Sequence, residues 1–386
     1  MMRTATVPPP HVPRGTSLPR GEVCGTVTDL YAELFGSFRR GDQRRKAEQY
    51  VWGLMSAGGR KSMRHIAAAV GSTAAEQRLH HFISKSTWDW RPVRQALARH
   101  LERTNPPQAW VVRSLAIPKT GRHTVGVDRH FIRELGRMMN VQQTYGVWLA
   151  SEHSSAPVNW HLVLPAVWTE DGDRRREGEI PDGAAAETPE QAAITAAARL
   201  LDWRLTPRPV VVDARGVAIR RIAPGLAAAG LPVLARIPPA VRLTATGRTA
   251  GVLGREPRAA QQILQAAGNL RRPVEWTDPA TGVPRVSLAA QVPVANAWLP
   301  GPQLTLLGVW DDFGRALPQV WLGSMSAPPD VLLRLTKLAG RVRHDADTAG
   351  DLVGLRDFAG RTYHGWHRHM TLASVAYRAR LLDDLG

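Results

Sequence analysis

Apolar residues recur at helical spacing through the first quarter of the chain. Leu30, Leu34 and Phe38 lie four residues apart with polar residues between them, as on one face of an α-helix. An Asn-Pro-Pro segment at 105–107 ends this pattern, and prolines are typical of such boundaries. The pattern predicts a helical region over residues 27–105.

Strand and helix patterns alternate after that boundary. Apolar runs predict strands or extended segments, and longer periodic stretches predict helices. The predicted strands and extended segments are WVVRSLAI (110–117), TYGVWLAS (144–151), HLVLPAVW (161–168), PVVVD (209–213) and PVLARIP; the predicted helices are EQAAITAAARLLDWRL (190–205), AIRRIAPGLAAAG, Asp330 to Leu352 and Trp366 to Leu382. This order predicts an α/β sheet with helical cover.

Composition divides the chain further. A Pro-rich N-terminal segment without an apolar core predicts a disordered arm, and a stretch rich in Gly, Pro and Thr with short apolar runs predicts a β-rich insertion. The predicted regions are an arm at 1–26, a helical DNA-binding domain at 27–105, the first part of the core at 108–240, the β-rich insertion at 241–325, and C-terminal helices that complete the core at 326–386.

The charge of the chain predicts an anionic partner. Lys and Arg number 50 against 33 Asp and Glu, a net charge of +17, which favours nucleic acid as the partner. The codon usage of a GC-rich genome is the competing explanation for the basic composition. It explains the preference for Arg over Lys better than it explains the low number of Asp and Glu residues. Apolar stretches are too interrupted for a membrane span. Cys24 is the one cysteine, which excludes an intramolecular disulfide and fits the cytoplasm.

Residues 61–84 have the pattern of a helix-turn-helix. Ala67 is small enough for close helix packing, Gly71 permits the turn, and Thr73 can cap the second helix. An ordinary helical hairpin explains the pattern equally well, because the second helix carries few basic residues.

Basic residues in and near this region are candidate phosphate contacts. A solvated helix face is the alternative for the densest group, FRRGDQRRK. The candidates are Arg39, Arg40, Arg44, Arg45, Lys46, Lys61, Arg64, Arg78, Lys119 and Arg122. In the β-rich insertion, Trp276 and Trp298 are candidates for stacking on a base, with core packing as the more ordinary role.

Several segments resemble the insertion-sequence 701 family of DDE transposases. WVVRSLAIPKTGRHTVGV (110–127) is similar to the family's W-x-x-D-D-T-G-F-P-K-x-G-x-x-S-V-G-V, and GLRDFAGRTYHGWHRH (354–369) to G-L-D-x-x-E-G-R-x-x-x-G-W-H-x-H. PVVVDARG lies between them in the family's order. The resemblance implies an RNase H-like mixed sheet, preceded by an all-α DNA-binding domain and interrupted by a β-rich insertion.

Two of the three family carboxylates are replaced in this alignment. Such enzymes hold a pair of Mg²⁺ ions with three convergent acids. The resemblance places Arg113 on the first acid, with Ser114 beside it, Asp213 on the second, and Arg343 on the third. Arg has no lone pair for a metal, so we expect no metal or other cofactor. We expect an Arg113–Asp213–Arg343 ion-pair cluster in place of the metals.

The sequence thus favours a transposase-like protein that binds double-stranded DNA, is catalytically inactive, and serves a domesticated regulatory or architectural role in the bacterial cytoplasm at the nucleoid. A homodimer is left open. One alternative is an active enzyme whose Mg²⁺ ligands have moved to Asp128, Asp213 and Asp347. Another is a protein-interaction scaffold that reuses the fold.

Overall fold

The structure is a computed structural model that describes residues 26–71, 74–132, 136–278, 281–299, 304–311 and 317–383. The predicted arm lies outside the described residues except for Thr26. The hydroxyl of Thr26 accepts a hydrogen bond from the backbone N–H of Asp29, whose carboxylate accepts one from the backbone N–H of Thr26. This reciprocal cap fixes the start of the first helix. Thr73, the predicted cap of a later helix, is also outside the described residues.

The predicted N-terminal helices are confirmed. They are α1 (Val27–Leu34), α2 (Gly41–Ser56), α3 (Met63–Ala69), α4 (Ala74–Ser84) and α5 (Arg91–Thr104). Leu30, Leu34 and Phe38 are buried, as their spacing requires. Gly71 follows α3 with φ of +84°, a conformation that suits glycine at the turn before α4.

The remaining helices and strands alternate as predicted. The strands are β1 (Ala109–Pro118), β2 (Val127–Ile132), β3 (Arg137–Ala150), β4 (Ser155–Leu162), β5 (Val210–Asp213), β6 (Val233–Arg236), β7 (Arg242–Ala245), β8 (Arg258–Ala259), β9 (Arg272–Thr277), β10 (Pro284–Ala295), β11 (Leu304–Trp310) and β12 (Gln319–Gly323). The helices are α6 (Ala166–Thr169), α7 (Gly172–Glu177), α8 (Pro189–Asp202), α9 (Ile219–Ala228), α10 (Gly247–Leu253), α11 (Ala260–Ala266), α12 (Pro329–Asp347), α13 (Ala349–Leu352) and α14 (Tyr363–Asp383).

The described strands form one mixed sheet of 12 strands, in the order β2-β3-β1-β5-β6-β12-β11-β10-β7-β8, with β4 beside β3 and β9 beside β10. The predicted α/β class is therefore confirmed. Among the described strands the parallel pairs are β1–β5 and β5–β6, and the other pairs are antiparallel. The strands of the predicted insertion extend the same sheet, because β12 pairs with β6. The boundaries of the proposed domains stay a prediction.

One predicted extended segment is wrong in its second half. The run 161–168 is strand only through Leu162, and α6 begins at Ala166 after Pro165. Trp168 is buried there, and its indole Nε1 donates to the carbonyl of Val127 at 2.8 Å. A short continuous apolar run has no periodicity that separates strand from helix.

Arg94 joins three parts of the fold. It lies on α5 and is 2% exposed. Its guanidinium donates to the carbonyl of Trp160 (2.8 Å) and the amide oxygen of Asn159 (3.1 Å) on β4, and to the hydroxyl of Thr371 (2.7 Å) and the carbonyl of His367 (3.0 Å) on α14. Burial lowers the pKa of Arg94. The hydrogen bonds offset that desolvation and fix α5 and α14 against the sheet.

We expect Arg94→Met to lower the free energy of unfolding by about 3–5 kcal/mol, because it leaves several buried acceptors without a donor at a similar side-chain volume. Urea unfolding followed by circular dichroism measures the change. The control is Arg99→Met on the same helix, where the side chain is exposed and contacts only the carbonyl of Trp203 at 3.3 Å or more. Equal effects of the two substitutions would contradict the role given to Arg94.

Two glycines give a second test of packing. A Cβ at Gly53 of α2 would lie 2.6 Å from Ile66 Cγ2 and 2.9 Å from the Ile66 carbonyl oxygen on α3, whereas a Cβ at Gly340 of α12 would meet nothing within 4 Å. We expect Gly53→Ala to destabilise the protein by about 1–3 kcal/mol and Gly340→Ala to stabilise it by about 0.5–1 kcal/mol. Urea unfolding of both variants measures this, and the same sign for both would refute the packing described.

Candidate functional site

A cleft of about 920 Å³ opens beside the middle of β1 and the end of β5. Val112 and Val212 are direct partners in the parallel pair β1–β5, so Arg113 and Asp213 follow at adjacent positions. Helix α12 packs against both strands and brings Arg343 to the same cleft. The three positions that the resemblance aligns with family acids thus line one cleft, together with Arg236, Trp276 and Lys337.

Asp213 is bound by its near neighbour Arg215. The guanidinium contacts both carboxylate oxygens, with Nε to Oδ1 at 2.9 Å and Nη2 to Oδ2 at 2.6 Å, and the backbone N–H of Arg215 donates to Oδ1 at 3.1 Å. Burial alone would raise the pKa of Asp213, but the hydrogen bonds and charge of Arg215 outweigh it and lower the pKa. Both oxygens that a metal would need are therefore engaged by a cation.

Arg113 turns toward α12 instead of Asp213. Its Nη2 contacts Asp347 Oδ1 at 2.9 Å, and its Nη1 donates to the carbonyl of Arg343 at 3.1 Å. Arg356 contacts the same Asp347 oxygen at 2.6 Å and also pairs with Asp351. Arg113 thereby ties β1 to the last turns of α12.

The predicted Arg113–Asp213–Arg343 cluster is wrong. Asp213 pairs with Arg215 and Arg113 pairs with Asp347, while Arg343 is exposed along the cleft. A partner two residues away loses less conformational freedom on pairing than a partner from another element, and the Arg215 fork matches the carboxylate. Asp213 therefore pairs with Arg215 and not with Arg113 or Arg343.

The relocated metal site does not assemble either. Asp128 lies on β2, and two strands separate β2 from β5, so Asp128 is three strand spacings, roughly 14 Å, from Asp213. Paired metal ions in such sites lie about 4 Å apart. Within the described ranges, no group of three His, Cys, Asp or Glu side chains could hold a metal ion. The residues present at this site do not fit the metal pair of the family.

A third ion pair forms another wall of the cleft. Lys337 Nζ lies 2.5 Å from Asp311 Oδ1, and Ser287 and Gln319 each donate to Asp311 at 2.7 Å. Burial would raise the pKa of Asp311, but its contacts with Lys337 and Ser287 lower it. Lys337 also lies 4.0 Å over the ring of Trp276. The wall is polar, charged and fixed by these contacts.

The structure separates the predicted DNA contacts by exposure. Those with exposed side chains are Arg39, Arg40, Arg44, Arg45, Arg64, Arg78 and Arg122. Lys46 is partly buried and pairs with Asp42 at 3.0 Å. For these residues a role in DNA binding stays a prediction.

Two of the predicted contacts point into the protein. Lys61 is 5% exposed, its Nζ donates to the carbonyl of Ala57, and burial lowers its pKa. Lys119 donates to the carbonyl of Phe358 at 2.5 Å, and burial together with the nearby Arg60 lowers its pKa to about 8. The prediction of a phosphate contact is wrong for Lys61 and unsupported for Lys119. The sequence alone does not show whether a given basic residue is buried or exposed.

The two candidate stacking residues differ in position. Trp276 is partly buried in the cleft wall, where its indole Nε1 donates to Ser287 at 2.8 Å. Trp298 is partly buried against the core and is not among the residues that line the cleft. Sequence reasoning missed Arg236 and Arg356 as residues of the site. Arg236 ends the parallel strand β6 directly beside Asp213, and that alignment was its available signal.

Comparison with known proteins identifies the family. The profile described as DDE superfamily endonuclease matches residues 33–297, about two thirds of the chain. The chain belongs to the DDE superfamily endonucleases. The fold described above, a mixed sheet with helices packed on it, is consistent with that family. No curated protein matches the chain. Among the described helices, none is both long and apolar enough to cross a membrane.

The ion pairs of the cleft predict a defined acid response. Burial would raise the pKa of Asp347, but its contacts with Arg356 and Arg113 lower it overall. A carboxyl whose pKa is lowered by folding stabilises the protein when the pH is above its unfolded pKa of about 3.9. This stabilisation is lost as the pH falls through the pKa that the carboxyl has in the folded protein. We expect the wild type to melt above Asp347→Asn at pH 7 and the two melting temperatures to converge below about pH 3.

Differential scanning calorimetry from pH 7 to pH 2.5 measures the convergence. Asp202→Asn removes an exposed acid on α8, paired to Arg199 at 2.9 Å and outside the cleft, and is the control. A difference in melting temperature between wild type and Asp347→Asn that is as large at pH 2.5 as at pH 7 would show that the ion pairs do not cause the difference.

Proposed function

We propose that this DDE-family protein binds double-stranded DNA and does not cleave it. The observation that carries the proposal is the state of the cleft: Arg215 holds both oxygens of Asp213, and arginines stand at the two other aligned positions. Cleavage by two metal ions needs three anionic ligands that converge. A cleft of ion-paired acids and additional arginines provides an environment for phosphate rather than for Mg²⁺.

The N-terminal helices supply a second basis for DNA binding. Exposed arginines lie before and along α2, on α3 at Arg64 and on α4 at Arg78, so the helical region offers several cations to solvent. Contacts of this kind with phosphates position a protein on DNA without reading its sequence. The overall charge of +17 favours the same partner.

A protein with these properties would act as a regulator or architectural protein derived from an insertion-sequence transposase. The likeness of its motifs to the insertion-sequence 701 family supports that origin. We further propose that it acts at the bacterial nucleoid, where double-stranded DNA is available.

Gel-shift and nicking assays with duplex DNA test the proposal. We expect binding that weakens steeply between 50 and 200 mM salt, roughly 10-fold or more, because phosphate contacts release counterions. We expect no strand cleavage with Mg²⁺ or Mn²⁺. Asp213→Asn should bind DNA as well as the wild type or better, because it removes a negative charge from the cleft. Arg39→Ala/Arg45→Ala should bind more weakly, and Arg176→Ala/Arg199→Ala, which removes exposed arginines on α7 and α8, is the matched control.

Other outcomes would replace the proposal. Metal-dependent nicking that Asp213→Asn abolishes would establish an active enzyme. Absence of DNA binding at low salt, together with a protein partner recovered in stoichiometric amount from cells, would establish an interaction scaffold.

A further inference from the structure

The acids that line the cleft are already paired. Asp213 pairs with Arg215, Asp311 with Lys337, and Asp347 with Arg113. A fourth lining acid, Asp278, lies 3.7 Å from Arg285 of β10. Each carboxylate has therefore a basic partner, and the negative charge of the cleft is compensated by these pairs.

Two arginines that line the cleft do not belong to these ion pairs. Arg236 lies at the end of β6 and Arg343 lies on α12, and both line the cleft. In the part of the chain that the structure describes, neither guanidinium has a hydrogen-bond acceptor or a carboxylate within 4 Å. Two arginines with unused donors face the same space, whereas the neighbouring arginines, Arg113 and Arg215, each bind a carboxylate.

Arg236 gives the stronger argument for an anionic ligand, because its charged group is partly buried. Burial lowers its pKa, the charge of Arg215 lowers it further, and Arg343 adds to the same effect, while Asp213 opposes it. A guanidinium that gives up water beside two other cations costs free energy unless an anion compensates it. The two acids that oppose this effect, Asp213 and Asp311, are already paired with Arg215 and Lys337.

The space in front of these arginines suits a segment of nucleic-acid backbone. At about 920 Å³, the cleft is as large as the sites that proteins use for drug-sized ligands. Guanidinium groups match phosphate oxygens with two parallel hydrogen bonds. One wall carries Trp276, whose ring already has Lys337 at 4.0 Å on one side.

We propose that Arg236 and Arg343 together bind one phosphodiester group of DNA in the cleft, at the place where the family resemblance puts metal ions. This assignment rests on the proposed function and makes it specific. The acid pairs hold the walls of the cleft, and the two remaining arginines hold the phosphate. DNA thus contacts the cleft as well as the helical region, and contact with the cleft does not lead to cleavage.

Salt-dependent binding of duplex DNA to Arg236→Gln/Arg343→Gln tests the site. For B-DNA, each phosphate contact contributes about 0.9 to the slope of log Kobs against log salt. We expect the double variant to lose about one unit of that slope and to bind roughly 10- to 100-fold more weakly at low salt, as for a charged hydrogen-bonded contact. Arg199→Gln, an exposed arginine on α8 outside the cleft, should keep the wild-type slope.

The melting temperature without DNA separates a binding role from a structural one. Since Arg236 lies among cations, Arg236→Gln should melt at or above the wild-type temperature. Millimolar inorganic phosphate should raise the melting temperature of the wild type more than that of the double variant. A variant that melts lower and binds DNA less would indicate a structural role and overturn the proposal.

The two proposals fail in different ways. Wild-type protein that binds no DNA at low salt removes both. Wild-type and double variant that bind DNA with the same slope remove the cleft site and leave DNA binding through the helical region intact. Arg199→Gln removes one charge and the double variant two, so a loss in Arg199→Gln of about half that of the double variant would show an effect of net charge and also remove the cleft site.

Discussion

The fold depends on one buried cation that has no carboxylate partner. Arg94 of α5 is satisfied by a carbonyl and an amide oxygen on β4 and by a hydroxyl and a carbonyl on α14. Because these acceptors carry no net charge, the hydrogen bonds need favourable lengths and angles to offset the desolvation of the guanidinium. The same contacts therefore fix the helical region and the buried helix α14 relative to the sheet. The sheet can then present the cleft in one defined shape.

The cleft follows from the parallel pairing of β1 with β5. That pairing puts Arg113 and Asp213 at adjacent positions, and α12 crosses both strands with Arg343 and Asp347 on it. Backbone geometry thus brings together the positions that the resemblance aligns with family acids, whatever side chains they carry. Arg113 contacts Asp347 and two backbone carbonyls at the end of α12, so this arginine contributes to holding strand and helix together.

The sequence predicted the framework well and the contacts of the cleft poorly. Long periodic patterns located β1, β5, α8 and α12 within a few residues, because periodicity reports burial directly. Pairing of charged side chains has no such signal. The alignment put Arg113 beside Asp213 correctly, yet Arg215, two residues along the chain, is the partner of Asp213. Lys61 resembled the other basic residues in sequence, although the structure buries it against the segment that contains Gly354.

The ion pairs of the cleft balance its acids and leave a surplus of positive charge. A metal pair needs an excess of negative charge, and its removal alone would leave repelling carboxylates. Here each acid is neutralised by a cation, and Arg236 and Arg343 add positive charge beyond that balance. The charge of the cleft is therefore the opposite of what a metal pair requires. A positive cleft attracts the phosphates of nucleic acid, and under the function proposed above it holds a phosphodiester without attacking it.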